Sequence, residues 1–289
     1  MRQALEGKSD KHLSLFDRPA LLFLPASNPR AIRKARESQA DAVILDLEDA
    51  VKPKDKDDAR ASAVAALAEP WPMPVGVRIN TLQPSTGLER HPPFKADEAE
   101  CAILSECGAD FVVIPKVEET GIIEQVREWT GKPIVAMIET PYSVLYLREW
   151  VTAPALCGLI AGTNDLASQL GLPGPRPRTS MTMALQTMLC AARAAGLPIW
   201  DGVFNDLEGL TGFEAEAREG RALGFDGKSL IHPNQIAPCH AAFAPSAAEI
   251  DRARRLVDAY QGGAERFDDA MIEQMHVDTA RRLLERAGR

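Results

Sequence analysis

Two kinds of pattern are missing from this sequence: long apolar runs and paired cysteines. No run of 18 apolar residues occurs, and the polar segment from Met1 to Arg18 lacks the apolar core of a signal peptide. We therefore expect no membrane-spanning helix and no membrane partner. The five cysteines are odd in number and form no C-x-x-C motif, which favours free thiols in a cytoplasmic protein.

The sequence also lacks the features of a nucleic-acid-binding or zinc protein. Its 33 basic and 41 acidic residues are interspersed and give a formal net charge of -8 at pH 7, with no basic stripe. This argues against nucleic acid as a partner. The five histidines show no spacing typical of zinc ligands. Apolar residues make up 45% of the 289 positions, which is enough for a sizeable core.

Short apolar runs alternate with helical patterns through nearly the whole chain. The apolar runs cover residues 20–24, 42–46, 75–79, 111–114, 134–138, 156–161, 197–200 and 225–231. The helical patterns cover about 29–38, 55–68, 95–107, 118–130, 141–150, 181–195, 207–223 and 246–261. Alternation implies parallel strands joined by crossovers, and eight strand–helix units predict a closed (β/α)8 barrel, the TIM barrel. The competitor is a doubly wound open sheet. It usually needs a glycine-rich loop after its first strand, where this chain has Pro25-Ala26-Ser27-Asn28-Pro29.

The pattern divides the chain into three parts. Residues 1–17 are polar and are expected to form a flexible lead-in, and residues 18–262 carry the α/β barrel. Residues 263–289 contain a charged amphipathic pattern at about 269–287. Because this C-terminal helical extension lies beyond the barrel count, we expect it to serve as a lid or as a contact between subunits.

Acidic residues follow the predicted strands at the end where barrels keep their chemistry. Glu139 and Asp165 come just after the fifth and sixth strands, and Asp46 and Glu48 follow the second. Two carboxylates on successive strands can hold one Mg²⁺, which takes its remaining ligands from water and substrate. Many acids at one mouth also repel each other unless a cation neutralises them. The alternative is that each carboxylate caps the following helix.

A cation and a helix start complete the predicted site. Arg78 follows the third strand, and its planar fork fits a carboxylate bidentately; the alternative is a structural salt bridge to one of the acids. Backbone N–H groups of Gly162, Thr163 and Asn164, next to Asp165, are placed to bind further oxygens. A small dicarboxylate or a 2-oxoacid chelated to Mg²⁺ fits these parts.

Seven motifs, in order, resemble the citrate lyase beta-subunit-like family of the HpcH/HpaI aldolase–citrate lyase superfamily. They are Arg18-x-x-Leu-Leu-Phe-Leu-Pro25, Asp-Ala-Val-Ile-Leu-Asp-Leu-Glu-Asp-Ala-Val51, Val-Arg-Ile-Asn80, Ile-Pro-Lys116, Ile-Glu-Thr140, Gly-Thr-Asn-Asp-Leu166 and Gly-Phe-Asp-Gly-Lys-Ser-Leu-Ile-His-Pro-Asn-Gln-Ile236. That family includes malyl-CoA, citramalyl-CoA and citryl-group lyases. The match runs from about Arg18 to Ala287.

The resemblance implies a (β/α)8 barrel, usually a homotrimer, that uses Mg²⁺. It implies that Glu139 and Asp165 bind the metal and that Arg78 binds the carboxylate of the 2-oxoacid. It also associates Arg18 and Lys116 with the acyl-CoA side.

The resemblance further implies a C-terminal lid that carries a catalytic aspartate in a Met-Ile-Asp motif. This chain has Met271-Ile272-Glu273 instead, so the carboxylate lies one methylene farther out. In the implied retro-Claisen reaction, a 3-hydroxyacyl-CoA thioester breaks into a 2-oxoacid and a thioester enolate. Glu273 would exchange a proton with the enolate carbon. Asp46 and Glu48 would orient waters on the metal.

The leading expectation is therefore a malyl-CoA or citramalyl-CoA type lyase. Related alternatives are a citrate lyase beta subunit acting on a citryl carrier-protein thioester, and a malyl-CoA-type thioesterase. A metal-dependent 2-oxoacid aldolase is a further alternative, although that group carries Asp-x-Glu-His where this chain has Asp46-Leu-Glu48-Asp49. A barrel kept as a non-enzymatic scaffold is the last alternative.

Overall fold

Eight parallel strands close into a barrel in the computed structural model, which describes residues 14–82, 94–173 and 178–288. The strands are β1 (Ala20–Pro25), β2 (Ala42–Asp46), β3 (Val75–Arg78), β4 (Phe111–Ile114), β5 (Ile134–Ile138), β6 (Leu156–Ala161), β7 (Ile199–Asp201) and β8 (Gly227–Leu230). Each strand pairs with the strand before it and the strand after it in the chain, and β8 pairs with β1 to close the barrel. The predicted (β/α)8 barrel is confirmed, and the open sheet is excluded because the sheet closes.

Helices follow the strands as the alternation predicts. They are α1 (Pro29–Arg36), α2 (Lys56–Leu67), α3 (Glu98–Glu106), α4 (Thr120–Thr130), α5 (Pro141–Trp150), α6 (Thr163–Gln169), α7 (Thr182–Ala195), α8 (Leu210–Leu223), α9 (Ile236–Phe243), α10 (Ala247–Ala259) and α11 (Gln274–Ala287). The predicted helical ranges did not include α9, and of α6 only the start was predicted, next to Asp165. None of the described helices is long and apolar enough to cross a membrane.

Two short antiparallel hairpins account for other differences from the predicted elements. Thr81–Leu82 pairs with Lys95–Ala96, so α3 begins three residues after residue 95, with Asp97 as its N-cap. Glu265–Phe267 pairs with Ala270–Ile272, so the predicted helix at 269–287 begins only at residue 274. Segments of two or three residues carry too little periodicity to be recognised as strands.

The barrel interior is filled by side chains from alternate strand positions. The buried cluster comprises Leu15, Leu21, Phe23, Ala42, Ile44, Phe111, Val113, Val135, Met137, Ile160 and Trp200. This apolar packing makes the strands rigid, and it positions the residues at their carboxyl ends against one another.

A second layer of contacts, between the strands and the outer helices, contains a buried ion network. The ammonium group of Lys228, with no exposed side-chain area, donates to Asp201 Oδ2 at 3.0 Å, to Glu216 Oε1 at 2.7 Å and to the Gly202 carbonyl at 2.6 Å. Arg178 donates to the other oxygen of Asp201 at 3.1 Å. Asp201 is the last residue of β7, and its carboxylate is committed to this network.

The described chain divides into two compact units, one ending at Cys239 and the other beginning at His240. The second unit thus begins earlier than the expected boundary at residue 263. Within it, α10 and α11 pack through a cluster of Ala253, Leu256, Phe267, Ile272, Val277 and Ala280. These residues give the second unit an apolar core of its own.

The buried network yields a stability prediction. Asp201→Asn removes a negative charge that faces two buried cations, so unfolding in denaturant should show a loss of about 3 kcal/mol or more. The control is Glu214→Gln, which breaks an exposed pair with Arg218 and should cost less than about 0.5 kcal/mol. Equal losses in the two variants would show that the network does not stabilise the barrel.

Candidate active site

The carboxyl ends of the strands surround a cavity of about 380 Å³. Its wall includes Phe23 from β1, Arg78 from β3, Met137 and Glu139 from β5, the segment from Ile160 to Asp165, and Asn205. Because parallel barrel strands all end at the same mouth, residues distant in sequence meet there. The structure therefore brings together Arg78, Glu139 and Asp165, as the sequence predicted.

Glu139 is the most deeply buried acid of this wall, with 1% of its surface exposed. Its Oε1 accepts a hydrogen bond from the backbone N–H of Lys116 at 2.7 Å. Gly162 packs against the other side, where a Cβ would lie 2.5 Å from Glu139 Oε2. Burial raises the pKa of Glu139 to about 8, although the charges of Lys116 and Arg78 act in the opposite direction.

Asp165 lies in the first turn of α6 with 39% of its side chain exposed. The ammonium group of Lys116 is 4.0 Å from Asp165 Oδ2. Asn164, beside it, exchanges two side-chain hydrogen bonds with Asn205, at 3.1 and 2.8 Å. Sequence reasoning missed Asn205, which lies in a segment with no strand or helix pattern.

Arg78 makes a bidentate salt bridge with Asp46, in which Nε and Nη2 donate at 2.7 and 2.6 Å. Its Nη1 lies 3.1 Å from Glu48 Oε2, and its guanidinium is 5.5 Å above the ring of Phe23. The salt bridge weighed as an alternative is therefore present, while Arg78 still lines the cavity. Burial raises the pKa of Asp46, but the Arg78 charge and the hydrogen bonds outweigh burial and lower it overall.

Glu48 bridges the two cations of the site. It forms a short salt bridge with the Lys116 ammonium, and its Oε2 faces Arg78 with no hydrogen-bond partner among the described residues. Burial raises the pKa of Glu48 against the opposing charges of Arg78 and Lys116. Lys116 has a backbone φ of 52°, an uncommon left-handed conformation for a non-glycine residue. This conformation accompanies two contacts, one from its N–H to Glu139 and one from its side chain to Glu48.

Lys56 holds the backbone of Leu47 and Glu48 in place, a role that sequence reasoning missed. Its ammonium donates to the carbonyl oxygens of Leu47 and Glu48, both at 2.6 Å, and to Asn80 Oδ1 at 2.7 Å. Asn80 in turn donates to the buried carboxylate of Glu100. These bonds fix the backbone that carries Glu48.

The charges of the mouth fit a divalent cation. Five carboxylates meet two cations there; they are Asp46, Glu48, Asp49, Glu139 and Asp165 against Arg78 and Lys116. Among the described residues, no group of three or more His, Cys, Asp or Glu side chains forms a metal cage. Asp49, Glu139 and Asp165 line the cavity. Glu139 and Asp165, which follow successive strands, are the two that suit Mg²⁺, whose other positions are left to water and substrate.

Two of the expected site residues are not part of this wall: one is at the other end of the barrel, and the other belongs to the second unit. Arg18 precedes β1 and donates to the carbonyl oxygens of Ser14 and Asp41, at the amino ends of β1 and β2. That is the end of the barrel opposite the mouth, so the expected contact of Arg18 with the acyl-CoA at this mouth is corrected. Glu273 belongs to the second unit, where it is the N-cap residue of α11 and its backbone N–H donates to His276 Nδ1 at 2.9 Å.

The burial of Glu139 yields a pH-dependent prediction for the protein in EDTA. Folding raises the pKa of Glu139, so burying its carboxylate destabilises the folded state at any pH where the unfolded chain would ionise it. This loss of folding free energy is absent below about pH 4.5 and grows as the pH rises towards about 8. Glu139→Gln removes this penalty and keeps an oxygen for the Lys116 N–H. Thermal unfolding should therefore show a more stable variant at pH 8, by about 1–3 kcal/mol, and a smaller difference at pH 5.

Glu124→Gln, at an exposed position of α4, is the control for removing a carboxylate. A Glu139→Gln variant less stable than the wild type at both pH values would contradict the burial penalty.

Comparison with known proteins agrees with the motifs. Residues 19–233 match the family model for HpcH/HpaI aldolase/citrate lyase. A (3S)-malyl-CoA thioesterase from Cereibacter sphaeroides is 37% identical over 93% of this chain and 94% of its own length. The citrate lyase subunit beta of Escherichia coli is 31% identical over 93% of each chain.

A solved structure has the same fold and related ligands. CitE from Mycobacterium tuberculosis, in complex with magnesium, acetoacetate and coenzyme A, superposes with a TM-score of 0.79 at 30% identity. The superposition covers 94% of this chain and 98% of that one. The predicted resemblance is confirmed, and the chain belongs to the HpcH/HpaI aldolase/citrate lyase family.

Proposed function

We propose that the protein is a Mg²⁺-dependent carbon–carbon lyase. Its substrate would be a 3-hydroxyacyl-CoA thioester of the malyl-CoA or citramalyl-CoA type, and its products an acyl-CoA and a 2-oxoacid. The observation that carries this proposal is the cavity that Glu139, Asp165 and Arg78 share. It places two carboxylates that would bind a metal next to an arginine that would bind the substrate carboxylate. The Mycobacterium tuberculosis relative, which binds magnesium and coenzyme A, supports it.

Glu139 and Asp165 would hold the metal. When bound, Mg²⁺ would supply a Lewis acid for the oxygens of the 2-oxoacid half of the substrate. Gly162 is essential to this arrangement, since any side chain there would displace Glu139. The expected contact of the Gly162 N–H with substrate is wrong, since it donates to the Ile138 carbonyl at 2.8 Å. Backbone N–H groups of Thr163 and Asn164 would bind further substrate oxygens at the start of α6.

Arg78 would bind the substrate carboxylate through its Nη1 side. Asp46 occupies the Nε and Nη2 donors and so fixes the guanidinium plane. Nη1 has a weaker commitment, with Glu48 at 3.1 Å and Asp49 at 3.8 Å. A substrate carboxylate can replace these contacts because a charge-assisted hydrogen bond to Arg is strong in a buried site.

Asp46, Glu48 and Lys116 would prepare the proton transfer that starts the cleavage. The 3-hydroxyl proton would pass to Glu48 or to a water that Glu48 orients. The C2–C3 bond would then break to leave the carbonyl of the 2-oxoacid, and its electron pair would pass to the thioester as an enolate. Glu48 has a buried oxygen without a hydrogen-bond partner among the described residues and would orient a water or the hydroxyl. Lys116 holds Glu48 and faces Asp165, on the side that we assign to the thioester.

Glu273 would return a proton to the enolate carbon and so complete the acyl-CoA product. The residue is half-buried at the start of α11, and its carboxylate is the one that replaces the lid aspartate of the family motif. We propose that the second unit acts as a lid in a homotrimer. Closing a lid would exclude water and protect the enolate.

Hydrolysis is the second candidate function, because a (3S)-malyl-CoA thioesterase is among the most similar relatives. A citrate lyase beta subunit is also a relative, so a carrier-protein thioester is the third. A 2-oxoacid aldolase would use the same metal and Arg78 with a free aldehyde. We place the protein in the cytoplasm, since all five cysteines are free thiols.

A substrate panel tests the proposed function. Malyl-CoA, citramalyl-CoA and citryl-CoA are supplied with Mg²⁺, and 2-oxoacid and free thiol are measured separately. A lyase releases 2-oxoacid without thiol, and EDTA or Asp165→Asn should abolish the release, reversibly for EDTA. Thiol without 2-oxoacid would instead show a thioesterase. Full activity after complete metal removal, or no turnover of any thioester, would contradict the proposal.

The lid role of Glu273 predicts a loss of cleavage without a loss of metal binding. Glu273→Gln should lower the turnover number by about 10²–10⁴-fold, because an amide cannot transfer a proton, while Mg²⁺ affinity stays unchanged. Glu273→Asp keeps the carboxylate and the N-cap and is the matched control. Loss of turnover in both variants with equal loss of thermal stability would assign Glu273 to structure alone.

A further inference from the structure

The cavity wall contains a serine hydroxyl that the proposed mechanism does not use. Ser229 lies on β8, is 1% exposed, and lines the same cavity as Arg78 and Glu139. Its Oγ has no hydrogen-bond partner among the residues that the structure describes. Leaving a buried hydroxyl unpaired is unfavourable, so a ligand oxygen that accepts a hydrogen bond from it would be stabilised here.

The strand register places Ser229 below the arginine of the site. Ser229 on β8 is opposite Leu21 on β1, and Phe23 lies two residues farther towards the mouth. Alternate residues of a strand share one face, so Phe23 and Leu21 both belong to the interior. The guanidinium of Arg78 lies 5.5 Å above the Phe23 ring. Arg78 pairs with Asp46 on β2, and Asp46 pairs with Pro25, four residues beyond Leu21 on β1. By register, Ser229 therefore lies on the floor of the cavity and Arg78 nearer its mouth.

The side chains around this floor offer little hydrogen bonding. Phe23, Met137 and Ile160 line the same cavity, and only the methionine sulfur among them is even a weak acceptor. A hydroxyl in such an apolar wall discriminates strongly, because a ligand without an oxygen at that place leaves it unpaired. Arg78 lines the same cavity, and its Nη1, which Asp46 does not occupy, is the donor that can bind an acidic ligand beside Ser229.

We propose that Ser229 is a specificity-determining residue whose hydroxyl donates a hydrogen bond to a carboxylate oxygen of the 2-oxoacid. Arg78 would bind the same carboxylate from the mouth side. A carboxylate has more acceptor positions than the remaining Arg78 donors can fill, which leaves an oxygen for Ser229. The inference rests on the proposed function, because it takes a 2-oxoacid as the ligand.

Calorimetric titration of pyruvate and glyoxylate into the Mg²⁺-loaded full chain tests the proposal. Ser229→Ala should raise both dissociation constants about tenfold or more, as expected for a lost hydrogen bond to a charged group. Without ligand, the same variant should unfold at the same temperature as the wild type or a few degrees higher, because it lacks the unpaired hydroxyl. These opposite effects on binding and stability distinguish a ligand contact from a structural role.

Thr130→Val is the matched control, since it removes a buried hydroxyl at the end of α4 that donates to the Val126 carbonyl at 2.7 Å. It should lower the unfolding temperature and leave both dissociation constants unchanged. Unchanged affinity in Ser229→Ala, or reduced affinity with reduced stability, would overturn the inference. If the wild type binds neither acid, the proposed function fails instead.

Discussion

The burial of the Glu139 carboxylate is the constraint on which the barrel mouth depends. A carboxylate removed from water is costly unless it is paired. Among the described residues, the Lys116 N–H donates to it, and the charges of Lys116 and Arg78 offset part of the cost. The chain tolerates this because Gly162 leaves room for the side chain. A cation bound at the Glu139 carboxylate would offset this cost, so the metal that we propose would return stability to the fold.

The remainder of the mouth is arranged around that acid as a set of fixed charges. Arg78 is aligned by Asp46, Glu48 is held between Arg78 and Lys116, and its backbone is tied down by Lys56. Such pre-organisation means that little side-chain movement is needed when a small acid binds. Asp165 is the exception, since it is partly exposed and so remains accessible to water and to the metal.

The sequence predicted the barrel well because the strands are buried on both faces and read as apolar runs. A glycine also marks a helix end: Gly131 follows α4 in a left-handed conformation, as glycines at helix C-caps commonly do. The hairpins and the extent of α6 escaped, since strands of two or three residues and a helix of seven are too short for their periodicity to be recognised. At the site, strand ends located the acids and Arg78, but not Lys56 or Ser229. Those two depend on where a side chain points and on what it fails to bond, which a linear pattern does not reveal.

Coupling between metal and acid is the most direct test of the central claim that Glu139, Asp165 and Arg78 form one site. Mn²⁺, which replaces Mg²⁺ and has a paramagnetic signal, can be titrated into the protein with and without pyruvate. Two ligands that share a site bind with mutual coupling. We predict that pyruvate tightens Mn²⁺ binding about tenfold or more, and that Arg78→Lys loses this coupling but keeps Mn²⁺. Mn²⁺ affinity that is indifferent to pyruvate in the wild type would contradict the account.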